Sequence, residues 1–284
     1  MGRDDHAADG AVITLHEAAE RLGVHYMTAY KYVRSGRLPA VKEAGEWRVR
    51  LDDLDAFRSP EPAVRGDRRR ARDGFEARLI AGDEAGAWSI VEATMASGAD
   101  AEEILLRLVS PSLRSIGDRW AAGELSVADE HRASAVAQRI IARIGPRFTH
   151  RGRRRGEVLV GAVAGERHSI PCAILADVLR GARFEVVDLG ADTPPASFAA
   201  AAVELPRLVG VAVSVTSEDN LASVAPTLAA LRRAVPDVPV LVGGGAVRDA
   251  AHAAELGSSA YAADARQVAD LFGGLLDGSV SLAG

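Results

Sequence analysis

The sequence predicts a multi-domain protein: an α-rich winged helix-turn-helix, a four-helix bundle, and an α/β doubly wound domain with a five-stranded parallel sheet. Three observations predict it. Two short helical segments at the N-terminus meet at a glycine, Gly23. Residues 75–147 have helical periodicity and few β-branched clusters. From Glu157 onward, short β-rich segments alternate with Ala/Leu-rich helical ones, the pattern of a parallel sheet with helical crossovers.

Thr14-Leu-His-Glu17 has the form of a capping box, with Glu three residues after Thr, and should start a helix from Leu15 to Leu22. Gly23 stops it, and a second helix runs from about Tyr26 to Ser35, ended by Gly36. Leu38-Pro-Ala-Val41 and Glu46-Trp-Arg-Val49, with a turn at residues 43–45, read as a two-stranded wing. Asp52-Asp53 could cap a last short helix, Leu54 to Arg58. Residues 12–58 thus form the first domain. On the second helix Tyr26, Met27, Tyr30, Lys31 and Arg34 fall near one side, and Ala29, Tyr32 and Val33 on the packed side. The early positions, including Thr28, would meet base edges of double-stranded DNA. Lys31, Arg34, Arg37 and the wing's Lys42 and Arg48 would meet phosphates.

Ser59-Pro-Glu-Pro62 and the charged stretch to about Asp73 read as a linker, followed by the bundle over 75–147. Pro146 and the basic run to Arg155 mark a second boundary. Strands are expected at 157–163, 184–189, 208–214, 238–242 and 259–262, giving a third domain over 157–272.

The first of these strands ends in the loop Gly165-Glu-Arg-His168. Ligands of open α/β sheets sit at the carboxyl ends of the strands. This loop lacks the Gly-rich turn that cradles a dinucleotide pyrophosphate. It offers an imidazole with a carboxylate two residues away, the arrangement that fixes the tautomer of a metal-ligating histidine. A metal-containing cofactor is therefore expected, with His168 as the metal ligand.

Composition agrees with a water-soluble chain. Its 284 residues suffice for two or three domains, and the net charge is −5, so any nucleic-acid contact must be local. The single Cys172 excludes an internal disulfide and a multi-Cys zinc site. No stretch approaches membrane-spanning length and the N-terminus opens no apolar signal segment, so a cytoplasmic location is expected.

Several motifs resemble known families. Ile13-Thr-Leu-His-Glu-Ala-Ala-Glu-Arg-Leu-Gly-Val24 and Arg34-Ser-Gly-Arg-Leu-Pro-Ala40 are similar to excisionase-like winged helix-turn-helix modules, close to the DNA-binding heads of the MerR type. Glu166-Arg-His168 resembles the Asp/Glu-x-His-x-x-Gly motif of cobalamin-binding domains in methionine synthase and corrinoid proteins. There the His replaces the cofactor's own benzimidazole beneath cobalt. Leu189-Gly-Ala-Asp-Thr-Pro194 resembles that family's loop after the second strand. Val213-Ser-Val-Thr216 and Leu241-Val-Gly-Gly-Gly245 resemble its pocket for the nucleotide tail. This implies cofactor contacts at Glu166, Ser214, Thr216, Gly243 and Gly244.

Trp120, nine residues, then Glu130-His131 resembles the cap signature of light-responsive, cobalamin-dependent repressors of the CarH and LitR type. The resemblance implies that Trp120, Glu130 and His131 face the upper ligand and that the cofactor is cobalamin, most plausibly adenosylcobalamin. It implies a non-enzymatic repressor acting as a homo-oligomer, dimer or tetramer. Two positions depart from the pattern. Pro171 stands where the motif ends in Gly, and Ala121 stands where the best-described members place a His that captures cobalt after illumination. Two other readings stay open: a corrinoid methyl carrier, and a regulator whose sensory half binds no cobalamin or another ligand.

Overall fold

The computed structural model describes residues 11–34, 38–43, 45–58, 62–150 and 152–281. They fall into two compact units, one ending at Asp73 and one running from Gly74 to the C-terminus.

The N-terminal unit opens with strand β1 (Val12–Thr14) and helices α1 (Leu15–Leu22) and α2 (Tyr26–Arg34). The capping box is complete. Thr14 Oγ1 accepts from the Glu17 amide at 3.2 Å, and the Glu17 carboxylate accepts from the Thr14 amide at 2.8 Å. Gly23 then takes the left-handed conformation that turns the chain. Strands β2 (Val41–Glu43) and β3 (Glu46–Arg50) form the wing. The sheet has three strands rather than two, in the order β1-β3-β2, because Ile13 pairs with Val49 ahead of the first helix. Helix α3 (Leu51–Arg58) starts three residues earlier than expected, so Asp52 and Asp53 lie in its first turn and not at a cap. There they still oppose the positive end of the helix dipole. Ile13, Leu15, Ala18, Ala29, Val33, Val49 and Leu54 make a single small core. The expected stop at Gly36 and the residue Arg37 lie outside the described residues.

The charged stretch expected to be a linker is helical from Pro62, as α4 (Pro62–Ala81). Arg and Ala are strong helix formers, and proline is tolerated at a helix start. Residues 59–61 of that segment lie outside the description.

The bundle of the second unit packs the end of α4 with α5 (Glu84–Ala96), α6 (Ala101–Ile104), α7 (Ser110–Ala121) and α8 (Val127–Ile144). A π-helical turn, Leu105–Val109, joins α6 to α7 into one long rod, so four rods surround the core. Phe75, Leu79, Val91, Ile116 and Ile140 fill that core. Arg119 donates to Glu76 at 2.7 Å, tying α7 to α4.

The α/β domain alternates β4 (Glu157–Ala162), α9 (Ile170–Gly181), β5 (Glu185–Asp188), α10 (Pro195–Val203), β6 (Leu208–Ser214), α11 (Val224–Ala234), β7 (Val240–Gly243), α12 (Ala250–Glu255) and α13 (Ala265–Asp277). Its sheet is parallel, in the order β5-β4-β6-β7. Alternate residues of β4 face opposite layers. Leu159 meets the layer of α10 and α11, whereas Val158 and Val160 meet that of α9 and α13.

The sheet has four strands where five were expected: 259–262 forms no strand. Serine hydroxyls take the edge amides of β7 that a fifth strand's carbonyls would have taken. Val242 donates its amide to Ser258 Oγ at 2.8 Å, and Val240 to Ser259 Oγ at 3.0 Å. Side-chain bonding of this kind competes with a ladder.

Bundle and α/β domain share packing. Ile174 of α9 lies in the bundle core, and Leu106 of the π turn packs against both cores. Phe148, at the end of the 3-10 turn after α8, is buried in the bundle, where the sequence suggested a boundary.

Candidate functional site

The loops after β4, β5 and β6 meet around Glu166. The first and third of these strands are neighbours, while the chain between them crosses to β5 on the far side of β4. That is the topological switch point where α/β sheets bind ligands. Glu166 is completely buried. Its Oε2 accepts from the backbone amides of Thr216 at 2.7 Å and Ser217 at 2.9 Å, and from Asn220 Nδ2 at 3.3 Å. Its Oε1 accepts from the His168 amide at 3.1 Å and contacts His168 Nδ1. Asp192, from the loop after β5, donates its amide to the Glu166 carbonyl at 2.8 Å and accepts from Gly165 N at 2.7 Å.

Burial alone would push the Glu166 carboxyl up. The Ser217 and Thr216 amides and the His168 ring and amide outweigh it and hold the carboxyl at about 2. Glu166 is therefore an anion at neutral pH and can only accept. Nδ1 must carry the proton it shares with Glu166, which leaves the lone pair on Nε2 of a half-exposed ring. Among the described residues no group of three or more His, Cys, Asp or Glu could hold a bare ion. A lone oriented imidazole suits a metal that brings its other ligands in a macrocycle.

The sequence-predicted tail pocket has the chemistry of a cradle. Ser214 Oγ and Thr216 Oγ1 are buried hydroxyl atoms without a hydrogen-bond partner, at the end of β6 and just beyond it. Unsatisfied buried hydroxyls call for a polar ligand. A Cβ on Gly243, at the end of β7, would meet nothing within 4 Å, so open space lies above that strand end. Gly244 has φ +113° and a Cβ there would lie 2.2 Å from the Val215 carbonyl oxygen, so only glycine lets the β6 and β7 loops close on each other. Beneath this cradle burial pushes the Cys172 thiol up to about 12, with help from Asp188 and Glu166, so it is no nucleophile. Pro171 sits in the first turn of α9, which begins unbroken at Ile170.

On the bundle, Trp120 at the end of α7 leaves 45% of its surface open. Glu130, in the first turn of α8, accepts from Ser134 Oγ at 2.6 Å and lies 3.7 Å from the exposed His131 ring. A cleft of about 570 Å³ runs between α8 and α9, lined among others by Gln138, Ile141, Thr149, Ile170, Asp177 and Asp188. None of the predicted ligand residues lines it.

In the N-terminal unit Met27, Lys31, Arg34 and Lys42 are exposed. Tyr26 and Tyr30, expected to read bases, are half-buried against the module's core, with ring centroids 6.4 Å apart. Thr28 is half-buried as well. Arg48 pairs with Glu46 at 3.3 Å. Sequence reasoning missed Asn220, Ser217 and Asp192. They lie in loops with no periodic pattern, and they converge on Glu166 only through the parallel register of β4 with its neighbours.

Comparison with known proteins bears directly on this geometry. The family described as B12 binding domain matches residues 71–144 with one of its forms and residues 156–268 with another. A helix-turn-helix domain family matches residues 12–59. The chain carries B12-binding domains behind a helix-turn-helix domain.

Curated relatives include trimethylamine corrinoid protein 1 of Methanosarcina acetivorans, 28% identical over 139 residues, and trimethylamine corrinoid protein 2 of the same organism, 30% identical over 139 residues. These stretches are 48% of this chain, which spans 64% of the length of those relatives. The solved Methanosarcina barkeri monomethylamine corrinoid protein superposes with a TM-score of 0.63 at 19% identity, covering 71% of this chain and 96% of that one. At that identity the B12-binding chain shares its fold. No helix among the described residues is long and apolar enough to cross a membrane.

Proposed function

We propose that the chain is a cobalamin-dependent transcriptional regulator and not an enzyme. In this reading His168 Nε2 is the lower ligand of cobalt, and Ser214, Thr216 and the glycines of the β7 loop hold the nucleotide tail. Trp120, Glu130 and His131 face the upper ligand, and adenosylcobalamin is the form bound. The observation that carries the reading is the fusion of a helix-turn-helix domain to B12-binding domains in one chain. A carrier of methyl groups has no use for a DNA-reading head.

The cofactor supplies a cobalt centre whose upper ligand can be lost. The chain's own part is to orient the imidazole, cover the upper face with an indole, and couple the loaded state to assembly. A cofactor that binds the assembled form better shifts the equilibrium towards it. Several heads on one assembly then grip double-stranded operator DNA more tightly than one. The protein is read as a cytoplasmic repressor that forms a dimer or tetramer and releases DNA when the upper ligand is lost, as on illumination. Ala121 provides no histidine to trap the photoproduct, so recovery with fresh cofactor should be ready.

The test is reconstitution with adenosylcobalamin in the dark, followed by absorption spectra, gel filtration and operator binding before and after green light. Corrin binding with a light-driven loss of oligomer and of DNA affinity supports the full reading. Corrin binding with DNA affinity that never changes overturns the regulatory part. A second reading, a corrinoid methyl carrier, draws on the corrinoid proteins among the relatives. Methyl transfer from the loaded chain, with no DNA binding, would favour it.

A further inference from the structure

The loop after β6 reaches the His168 site through Asn220, which lies in the 3-10 turn Glu218–Ser223 leading into α11. Its Nδ2 is 3.3 Å from Glu166 Oε2, and its Oδ1 faces Gly165, where a Cβ would come within 3.0 Å. The orientation of the amide follows from chemistry. An ionised carboxylate accepts and never donates, so the NH2 group must face it. The other two donors to Oε2 are the Thr216 and Ser217 backbone amides, which persist whatever side chains stand in the loop. Among the described residues Asn220 and His168 are therefore the two side chains that grip this buried carboxylate.

We propose that Asn220 is a positioning residue for His168, acting through Glu166; this rests on the reading of His168 as the lower cobalt ligand. The backbone amides keep Glu166 charged, and Asn220 fixes how the carboxylate is turned. With Oε2 held on the β6 side, Oε1 is aimed at His168 Nδ1, and the imidazole plane and the direction of Nε2 follow. Carboxylates that orient a metal-ligating histidine set both its tautomer and its ligand strength. Asn220 extends that chain one residue further, into a turn that no sequence motif marked.

The experiment uses the full chain labelled with 15N-histidine, as wild type, Asn220→Ala and Asn220→Asp. Each is loaded with cobalamin, reduced to the cobalt(II) state and examined by electron paramagnetic resonance. An axial 15N from histidine splits the cobalt lines into doublets, whereas the cofactor's own 14N base gives triplets. Wild type is expected to show doublets. Asn220→Ala should shift the balance away from histidine-bound cobalt by about threefold to tenfold. Asn220→Asp should shift it further, because it sets a second carboxylate against Glu166. That order separates positioning from simple packing. Asp matches Asn in shape, so a structural role would make Ala the worse variant and would track the melting temperature. Doublets of equal strength in all three proteins, or losses that follow melting temperature with Ala worst, would overturn the proposal. Triplets in the wild type would remove His168 as the ligand and the proposal with it.

Discussion

At Gly243 and Gly244, neighbours in sequence, a methyl group would meet opposite fates. Gly244→Ala would drive Cβ into the Val215 carbonyl at a backbone angle that alanine avoids. A loss of about 2–4 kcal/mol in urea unfolding is expected. Gly243→Ala meets open space, so stability should stay within about 0.5 kcal/mol. If the tail cradle is read correctly, the same change weakens cobalamin binding, measured by titration of the absorption spectrum. Unchanged affinity would remove Gly243 from the site. Glu166 makes a second prediction at this scale. Its folded pKa of about 2 lies below the unfolded value, so its contribution is present above the ordinary carboxylate range and is lost as pH falls towards 2. Acid unfolding of Glu166→Gln should lack this component, on the order of 2 kcal/mol. Identical acid slopes for the two proteins would show that Glu166 carries none of it. The His168–Glu166 pair was legible because both residues stand in one loop. Asn220 was not, since its partner lies far away along the chain.

Elements with strong local signals matched their expectations. The capping box of α1 is a contract between residues three apart, so sequence alone reveals it. Strands β4 and β6 are apolar runs, as central parallel strands must be. The expected strand at 259–262 failed because the choice between ladder and serine bonding is made at the edge of β7, outside the window of local pattern. The linker before the bundle failed for a related reason: charge suggested solvent, but Arg and Ala also favour helix, and α4 continues into the buried Phe75 and Leu79. Phe148 tests how firmly bundle and α/β domain are joined. Its ring fills the bundle core and lies where a Cβ on Gly181 of α9 would come within 2.9 Å. Phe148→Ala should cost about 3–5 kcal/mol in denaturant unfolding. A cost below about 1 kcal/mol would mean that the junction is not held there.

For the whole molecule, the cofactor should act by linkage. Adenosylcobalamin at about 100 times its dissociation constant should add about 2.7 kcal/mol to the stability of the unit from Gly74 onward. Calorimetry in the dark should show its transition move to higher temperature, and a light-sensitive protein should lose that gain after illumination. A transition that ignores the cofactor would contradict the site as described. What the sequence determined by itself was the order of modules, the helix-turn-helix, the alternation of the α/β domain and the histidine with its carboxylate. These are written in spacings of a few residues, where backbone geometry is local. The tertiary structure decided the number of strands and the helical path into the bundle. It also decided the burial of Glu166 under amides from another loop and the unpartnered hydroxyls of Ser214 and Thr216. Those depend on which distant segments come to share a dry space, and hydrogen bonding there is settled by register and packing that no short window of residues contains.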